Sequence, residues 1–302
     1  MIFKDFAKKL ENVSRGKVLI KEPLFRHNSW KIGGPADVLF IPKTFSDLRK
    51  AVMLAGEYNI PVTILGNGTN VLILDGGIEG LVIKLSELKR TIIKGSRITA
   101  SAGVSLPYLA FLAQKNGLSG LEFAVGIPGT VGGAVFGNAG AHGKSIQDVV
   151  SEAAVMDISG RIFRLRREEL GLGYRTSAFT DDRIILWASF SLKKENGSVI
   201  KETMEYYLRC RKETQPLGEA TAGCVFKNPP EGSAGYFIEK AGLKGLREGN
   251  ARVSLKHANF IVNEGGAKAS DVLKLIEKIK EEVFEKFGVE LKCEIKILGR
   301  GP

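Results

Sequence analysis

Two glycine-rich stretches carry the first chemistry visible in this chain. Residues 126–143, GIPGTVGGAVFGNAGAHG, hold seven glycines in eighteen positions. Glycine in an ordered element costs roughly 0.5–1 kcal/mol relative to alanine, so close packing or a ligand must offset it. Ile127-Pro128-Gly129-Thr130 has the form of a type II turn, and Val131 to Asn138 reads as a short helix whose first N–H groups face that turn, a place for an anion. The same composition also suits a tight loop packed under a sheet. The second stretch, Gly66-Asn67-Gly68-Thr69-Asn70, lies between apolar strand-like runs at 62–65 and 71–74. A dinucleotide fingerprint would run on into a helix and a P-loop would end in Gly-Lys-Ser/Thr, so neither applies. What remains is a nest of backbone N–H groups beside the side chains of Asn67, Thr69 and Asn70, able to hold a pyrophosphate.

Other chemistries find less support. His27, His142 and His257 lie far apart, and no His or Cys pair has metal-ligand spacing. There is no GxSxG elbow for a serine hydrolase. Cys224 and His257 are a conceivable thiol–imidazole pair, although an isolated cysteine more often behaves as a small buried hydrophobe. Arg175, in Tyr174-Arg175-Thr176-Ser177-Ala178-Phe179, reads equally as a functional cation or as an exposed residue at a helix exit.

The elements that must position these groups follow from periodicity. Phe3 to Asn12 is an amphipathic helix, and Thr44-Phe45-Ser46-Asp47 is a capping box opening a helix with Leu48, Ala51, Val52 and Ala55 on its apolar face. Trp30, in the Gly33-Gly34 loop region, is expected to pack rather than to stack on a ligand. Gly80 to Leu85, Thr91 to Lys94 and Ile98 to Ser101 are strands, and Leu106 to Asn116 is a helix with Pro107 in its first turn and Gly117 at its end. Val149 to Ile158 and Arg161 to Leu165 form a hairpin, followed by a strand from Ile184 to Leu192. A polar turn at Glu195–Ser198 precedes a helix from Ile200 to Glu213, and the main boundary falls there. Beyond it the pattern gives a short strand over 221–230, a helix over 233–241, strands at 251–254 and 259–262, a helix capped by Ser270, and a final strand from Leu291 to Leu298.

Composition bounds the setting. The 302 residues suffice for two domains, and 44% hydrophobic with 25% charged residues is ordinary for a globular protein. No signal peptide or long apolar run is visible, so a cytoplasmic protein without a membrane partner is expected. Cys210, Cys224 and Cys293 read as reduced thiols. A net charge of +11 favours acidic partners; the basic residues are spread along the chain, which suits a phosphorylated small molecule better than nucleic acid. Three glutamines and four methionines among many Lys, Arg and Glu lean towards a thermophile.

Seven stretches, in this order, together resemble the UDP-N-acetylenolpyruvoylglucosamine reductase family: 28–34 (NSWKIGG), 65–70 (LGNGTN), 126–129 (GIPG), 138–141 (NAGA), 174–179 (YRTSAF), 222–229 (AGCVFKNP) and 256–260 (KHANF). The resemblance implies an α+β protein with a vanillyl-alcohol-oxidase-type FAD-binding region of two α/β subdomains, about 1–96 and 97–197, and an α+β substrate domain over 198–302. The short interval between Arg175 and Cys224 is similar to the compact type II form. It implies that NADPH reduces FAD and that the enolpyruvyl ether of the UDP sugar then takes hydride at its terminal methylene, giving UDP-N-acetylmuramate for peptidoglycan. Another FAD-dependent oxidoreductase of the same fold, such as an oxidase, is the alternative.

Carried over residue by residue, Arg175 matches the family's catalytic arginine, Glu294 its catalytic glutamate, and Cys224 its proton donor. Most members have serine at the last position, and an ordinary thiol, titrating near ~8.5, still has a proton to give at neutral pH. FAD contacts are expected from Leu65, Gly66, Asn67, Gly68, Thr69, Asn70, Val71, Gly103, Gly126, Ile127, Pro128, Gly129, Thr130, Gly132, Gly133 and Asn138. Substrate contacts are expected from Tyr174, Lys212, Gln215, Lys227, Asn228, His257 and Asn259. No metal is expected, and the chain is taken as a monomer.

Overall fold

A computed structural model describes residues 2–180 and 182–301. The chain divides into two compact units that are not contiguous in sequence. The first comprises residues 2–20, Val38–Asn67 and Gly80–Arg211; the second comprises Lys21–Asp37, Gly68–Glu79 and 212–301. A single cut after residue 197 therefore does not trace them. The physical reason is burial: Trp30, Ile32 and Leu72, from the two short early segments, are core residues of the second unit together with Val225, Phe226, Val253, Val272, Ile276 and Val283.

In the first unit, strands Lys17–Ile20, Ala36–Ile41, Ile78–Lys84 and Val62–Leu65 form a sheet in that order. Val62–Leu65 runs parallel to the third of these, with Leu65 opposite Lys84. Helix Phe45–Glu57 starts at the capping box expected, Thr44 Oγ1 accepting from Asp47 N–H at 3.0 Å and Asp47 Oδ2 accepting from Thr44 N–H at 3.1 Å. Each bond satisfies a donor at the helix entrance that would otherwise lack a partner. Its face of Leu48, Ala51, Val52 and Ala55 is buried, as are Phe6, Ala7 and Leu10 of helix Ile2–Val13. A five-stranded antiparallel sheet has the order Ile162–Arg166, Val150–Asp157, Arg183–Ser191, Arg97–Ser101, Thr91–Lys94. Helices Leu106–Lys115 and Val131–Phe136 contribute Leu109, Val131 and Val135 to the core around that sheet.

The second unit is α+β. Strand Val71–Ile73 pairs in parallel with Lys296–Leu298, and a three-stranded sheet joins Arg247–Glu248, Ala251–Val253 and Ile261–Asn263. Helix Ala269–Phe287 buries Val272, Leu275, Ile276, Ile279 and Val283. Its cap is not Ser270: the carboxylate of Asp75 accepts from the N–H groups of Ala269 and Ser270 at 2.8 and 3.1 Å. A full charge supplied from outside the helix outcompetes a local hydroxyl at the positive end of the helix dipole. The strands expected over 221–230 and 291–298 shrink to an isolated bridge, Phe226 with Cys293, and to Lys296–Leu298. Trp30 is fully buried, as a packing residue should be.

Candidate active site

The Gly66–Asn70 loop leaves the first sheet after Leu65 and runs into Val71–Ile73. Gly68 adopts φ 65, and its carbonyl accepts from Ser29 N–H at 3.0 Å. Among the described residues, the amide N–H groups of Asn67, Gly68 and Thr69 donate to no protein acceptor. Three consecutive unengaged donors around a left-handed residue fit the pyrophosphate of FAD. Asn70 has a different task, its Nδ2 donating to the carbonyl of Glu294 at 3.3 Å.

The Gly126–Gly133 wall behaves otherwise. Gly129 N–H bonds Ile127 O at 2.8 Å, so a three-residue turn centred on Pro128 replaces the expected type II turn; the fixed φ of proline suits either. Helix Val131–Phe136 forms with Thr130 as its cap. However, Val131 N–H bonds Val104 O at 2.8 Å, Gly132 N–H bonds Ala102 O at 2.9 Å and Gly133 N–H bonds Thr130 Oγ1 at 3.4 Å. With those donors engaged, the helix start is not the anion site expected of it. Glycine is needed here for close approach. A Cβ on Gly66 would stand 2.7 Å from Thr130 Oγ1, one on Gly132 2.9 Å from Ala102 Cβ, and one on Gly103 2.0 Å from Leu85 O. At exposed Gly133 a Cβ would come no closer than 3.6 Å to Thr130 Oγ1, leaving its surface open to a planar group.

Arg175 sits in a tight turn at φ 53, bracketed by mutual main-chain bonds of Gly173 and Thr176 at 3.1 and 3.2 Å. Its Nη2 donates to Gly140 O at 2.9 Å. Asn138, expected as a cofactor contact, is 2% exposed, and its amide donates to Gly173 O at 2.7 Å and Gln147 Oε1 at 3.2 Å while accepting from Gln147 N–H at 2.9 Å. A side chain so enclosed and satisfied acts on the protein rather than on a ligand. Beyond Gly140, His142 and Gly143 turn the chain with φ 53 and 74, and the His142 ring stacks on Tyr207 at 3.9 Å. Burial and the positive Arg211 nearby push the His142 imidazole below its ordinary pKa.

In the second unit, residues 224–227 run beside 292–295. Lys227 N–H bonds Lys292 O at 2.8 Å and Glu294 N–H bonds Val225 O at 2.7 Å, so Glu294 is joined to the chain one residue from Cys224. Asn259, expected to touch substrate, is 3% exposed with both amide atoms engaged on the Phe226 peptide at 2.9 and 2.8 Å; it too serves the protein. His257 Nδ1 accepts from Asn259 N–H at 3.2 Å, and burial first, then Lys244, holds its pKa below the ordinary value. Asn228 Oδ1 accepts from Ala234 N–H at 3.1 Å, at the start of helix Ala234–Lys240. Tyr174 is exposed, and Gln215 Oε1 is buried with no hydrogen-bond donor among the described residues. Arg175 belongs to the first unit, and Cys224 and Glu294 to the second.

Sequence reasoning missed Ser177, whose hydroxyl donates to Phe136 O at 2.6 Å, and Asp75. Ser177 lies inside the Tyr174–Phe179 motif, so a signal was present; Asp75 carried none. Among the described residues no group of three or more His, Cys, Asp or Glu is placed to hold a metal, and no helix is long and apolar enough to cross a membrane.

Residues 36–166 match the family described as FAD binding domain, and residues 215–298 match that described as UDP-N-acetylenolpyruvoylglucosamine reductase, C-terminal domain. UDP-N-acetylenolpyruvoylglucosamine reductase of Caldanaerobacter subterraneus subsp. tengcongensis is 48% identical over 96% of both chains. That of Desulforamulus reducens is 44% identical over 99% of both. The crystal structure of the reductase from Thermus caldophilus superposes with a TM-score of 0.82 at 38% identity, covering 94% of this chain and 99% of that one. With a vanillyl-alcohol-oxidase-type FAD-binding region and an enzyme of this kind along nearly its whole length, the chain belongs to the UDP-N-acetylenolpyruvoylglucosamine reductase family, FAD-dependent oxidoreductases of peptidoglycan synthesis.

Proposed function

We propose that this chain reduces UDP-N-acetylglucosamine enolpyruvate to UDP-N-acetylmuramate with NADPH as electron source, as a cytoplasmic monomer with no nucleic-acid or membrane partner, Arg175, Cys224 and Glu294 acting on the substrate. The carrying observation is the bond from Glu294 N–H to Val225 O at 2.7 Å, which joins the backbone of an acid to that of the residue after a thiol, from near the two ends of the segment 212–301. FAD, when bound, supplies the hydride for the terminal methylene. The amides of Asn67, Gly68 and Thr69 would hold its pyrophosphate, and the Gly126–Gly133 wall with Leu65 and Gly103 would border the rest.

The Arg175 guanidinium, planar and permanently charged, stabilises the carboxylate as it takes on enolate character. Cys224 delivers a proton from Sγ to the adjacent carbon, and Glu294 assists by hydrogen bonding or proton supply. Tyr174, Lys212, Gln215, Lys227, Asn228 and His257 are the contacts proposed for the UDP sugar; the donorless buried oxygen of Gln215 supports its share. The +11 charge suits a substrate with two phosphates and a carboxylate. Among the described residues between Arg175 and Cys224 the regular elements are two strands and helix Gly197–Thr214, which supports the type II form. NADPH oxidation that accelerates only on addition of the enolpyruvyl sugar nucleotide is the result expected; oxygen consumption with an alcohol, and no response to the sugar nucleotide, would overturn the reading.

A further inference from the structure

We infer that Asn138 and Ser177 are the positioning residues of Arg175, holding its turn against the segment Phe136–Gly140 so that the guanidinium stands where the substrate carboxylate arrives. The inference rests on the reading of Arg175 as the charge-stabilising group.

The two segments meet at three points, all within the first unit. Ser177 Oγ donates to Phe136 O at 2.6 Å, Asn138 Nδ2 donates to Gly173 O at 2.7 Å, and Arg175 Nη2 donates to Gly140 O at 2.9 Å. The bonds alternate in origin, a side chain from each segment and finally the arginine head itself, so both ends of the turn and its tip are fixed. Arg175 needs such fixing. Its φ of 53 lies in the left-handed region that a branched or long side chain adopts only when its surroundings impose it.

The supporting segment is itself immobilised. Asn138 is also left-handed, at φ 42, and locked to Gln147 by two further bonds. Gly140 pairs with Ser145 in the short hairpin, and a Cβ there would come within 2.5 Å of Lys144 O. Both amide atoms of Asn138 are engaged within the protein, and the Ser177 hydroxyl donates to Phe136 O and accepts from Phe179 N–H at 3.4 Å. Their effect on the reaction therefore runs through Arg175 alone, and because displacing a reacting group by about 1 Å can cost on the order of 10²-fold, the effect is measurable.

The test is a double-mutant cycle on the FAD-loaded enzyme, read by stopped-flow reoxidation of the NADPH-reduced flavin with the enolpyruvyl sugar nucleotide. Asn138→Ala, and Asn138→Asp, which keeps the volume and the acceptor for Gln147, are expected to slow reoxidation by about 10-fold or more. Ser177→Ala should do so less, and Ser177→Thr should restore the rate. Flavin reduction by NADPH and FAD affinity should stay within about twofold of the parent. In an Arg175→Ala background the same substitutions should cost nothing further. Equal losses in both backgrounds, or a fall in FAD affinity, would overturn the positioning role. Full reoxidation in Arg175→Ala alone would instead sink the reading of Arg175 on which it rests, and the two failures are thus distinct.

Discussion

Asn259 grips the main chain of Phe226 at both its N–H and its C=O, its Oδ1 accepting from Phe226 N–H at 2.9 Å and its Nδ2 donating to Phe226 O at 2.8 Å. Phe226 is two residues from Cys224, so this buried amide fixes the segment that presents the proposed acid. Removing it leaves a donor and an acceptor buried without partners, at about 1–3 kcal/mol each. Asn259→Ala should therefore lower stability by about 2–6 kcal/mol in urea unfolding, and slow substrate reduction in the protein that still folds. Unchanged stability would show that water replaces the clamp.

Cys224→Ala should leave flavin reduction by NADPH nearly intact and slow reoxidation by the enolpyruvyl substrate about 10²- to 10⁴-fold, the usual worth of a positioned proton donor. Cys224→Ser should keep activity, since the hydroxyl can give a proton from the same place. Reoxidation at the parent rate in the alanine variant would remove Cys224 from the mechanism.

The histidines set an acid limit to stability. His257 is held neutral by burial and by Lys244, and its Nδ1 must stay unprotonated to accept from Asn259 N–H. Its folded pKa is lowered, so the unfolded chain takes up the proton first; the stabilisation is complete above ~6.5 and is lost as pH falls through the folded value. The thermal midpoint should drop between pH 7 and pH 5, and His257→Phe should flatten that slope. His142 shifts in the same direction, but its ring is partly solvated and its share is smaller. A slope unchanged by His257→Phe would assign the effect elsewhere.

Two glycines separate packing from conformation. Gly103→Ala forces a Cβ to 2.0 Å from Leu85 O and 2.8 Å from Leu88 O, both main-chain atoms, and should cost about 3 kcal/mol or more, the range of overpacked interior sites. Gly143→Ala meets nothing within 4 Å but must keep φ 74, costing about 1 kcal/mol. Thermal unfolding of both variants checks the order.

Local order was readable from the sequence where short-range chemistry decides it. The Thr44 capping box, the apolar face of Leu48 to Ala55 and the hairpin at Ser159-Gly160 depend on residues within one or two turns of each other. The loop at Gly66–Asn70 was legible for the same reason, as glycine readily takes the positive φ found at Gly68 and leaves neighbouring backbone N–H groups accessible. What escaped came from distant partners. Nothing near Val131 says that its N–H will meet Val104 O, and nothing near Asn138 or Asn259 says that a polar side chain is a buried brace rather than a ligand contact. Asp75 capping a helix that begins at Ala269 is the extreme case.

The parallel pairing of Val71–Ile73 with Lys296–Leu298 also dictates an order of assembly. Asn70 and Glu294, which flank it, are 224 residues apart and are bonded to one another. During synthesis the second half of the Gly66–Asn70 loop has no strand to lie against until the residues near 296 emerge, so a loop encoded early is completed late. Contacts of such sequence separation are slow to form, and binding of FAD should lag behind folding of the sheet that carries Val62–Leu65 on a growing chain.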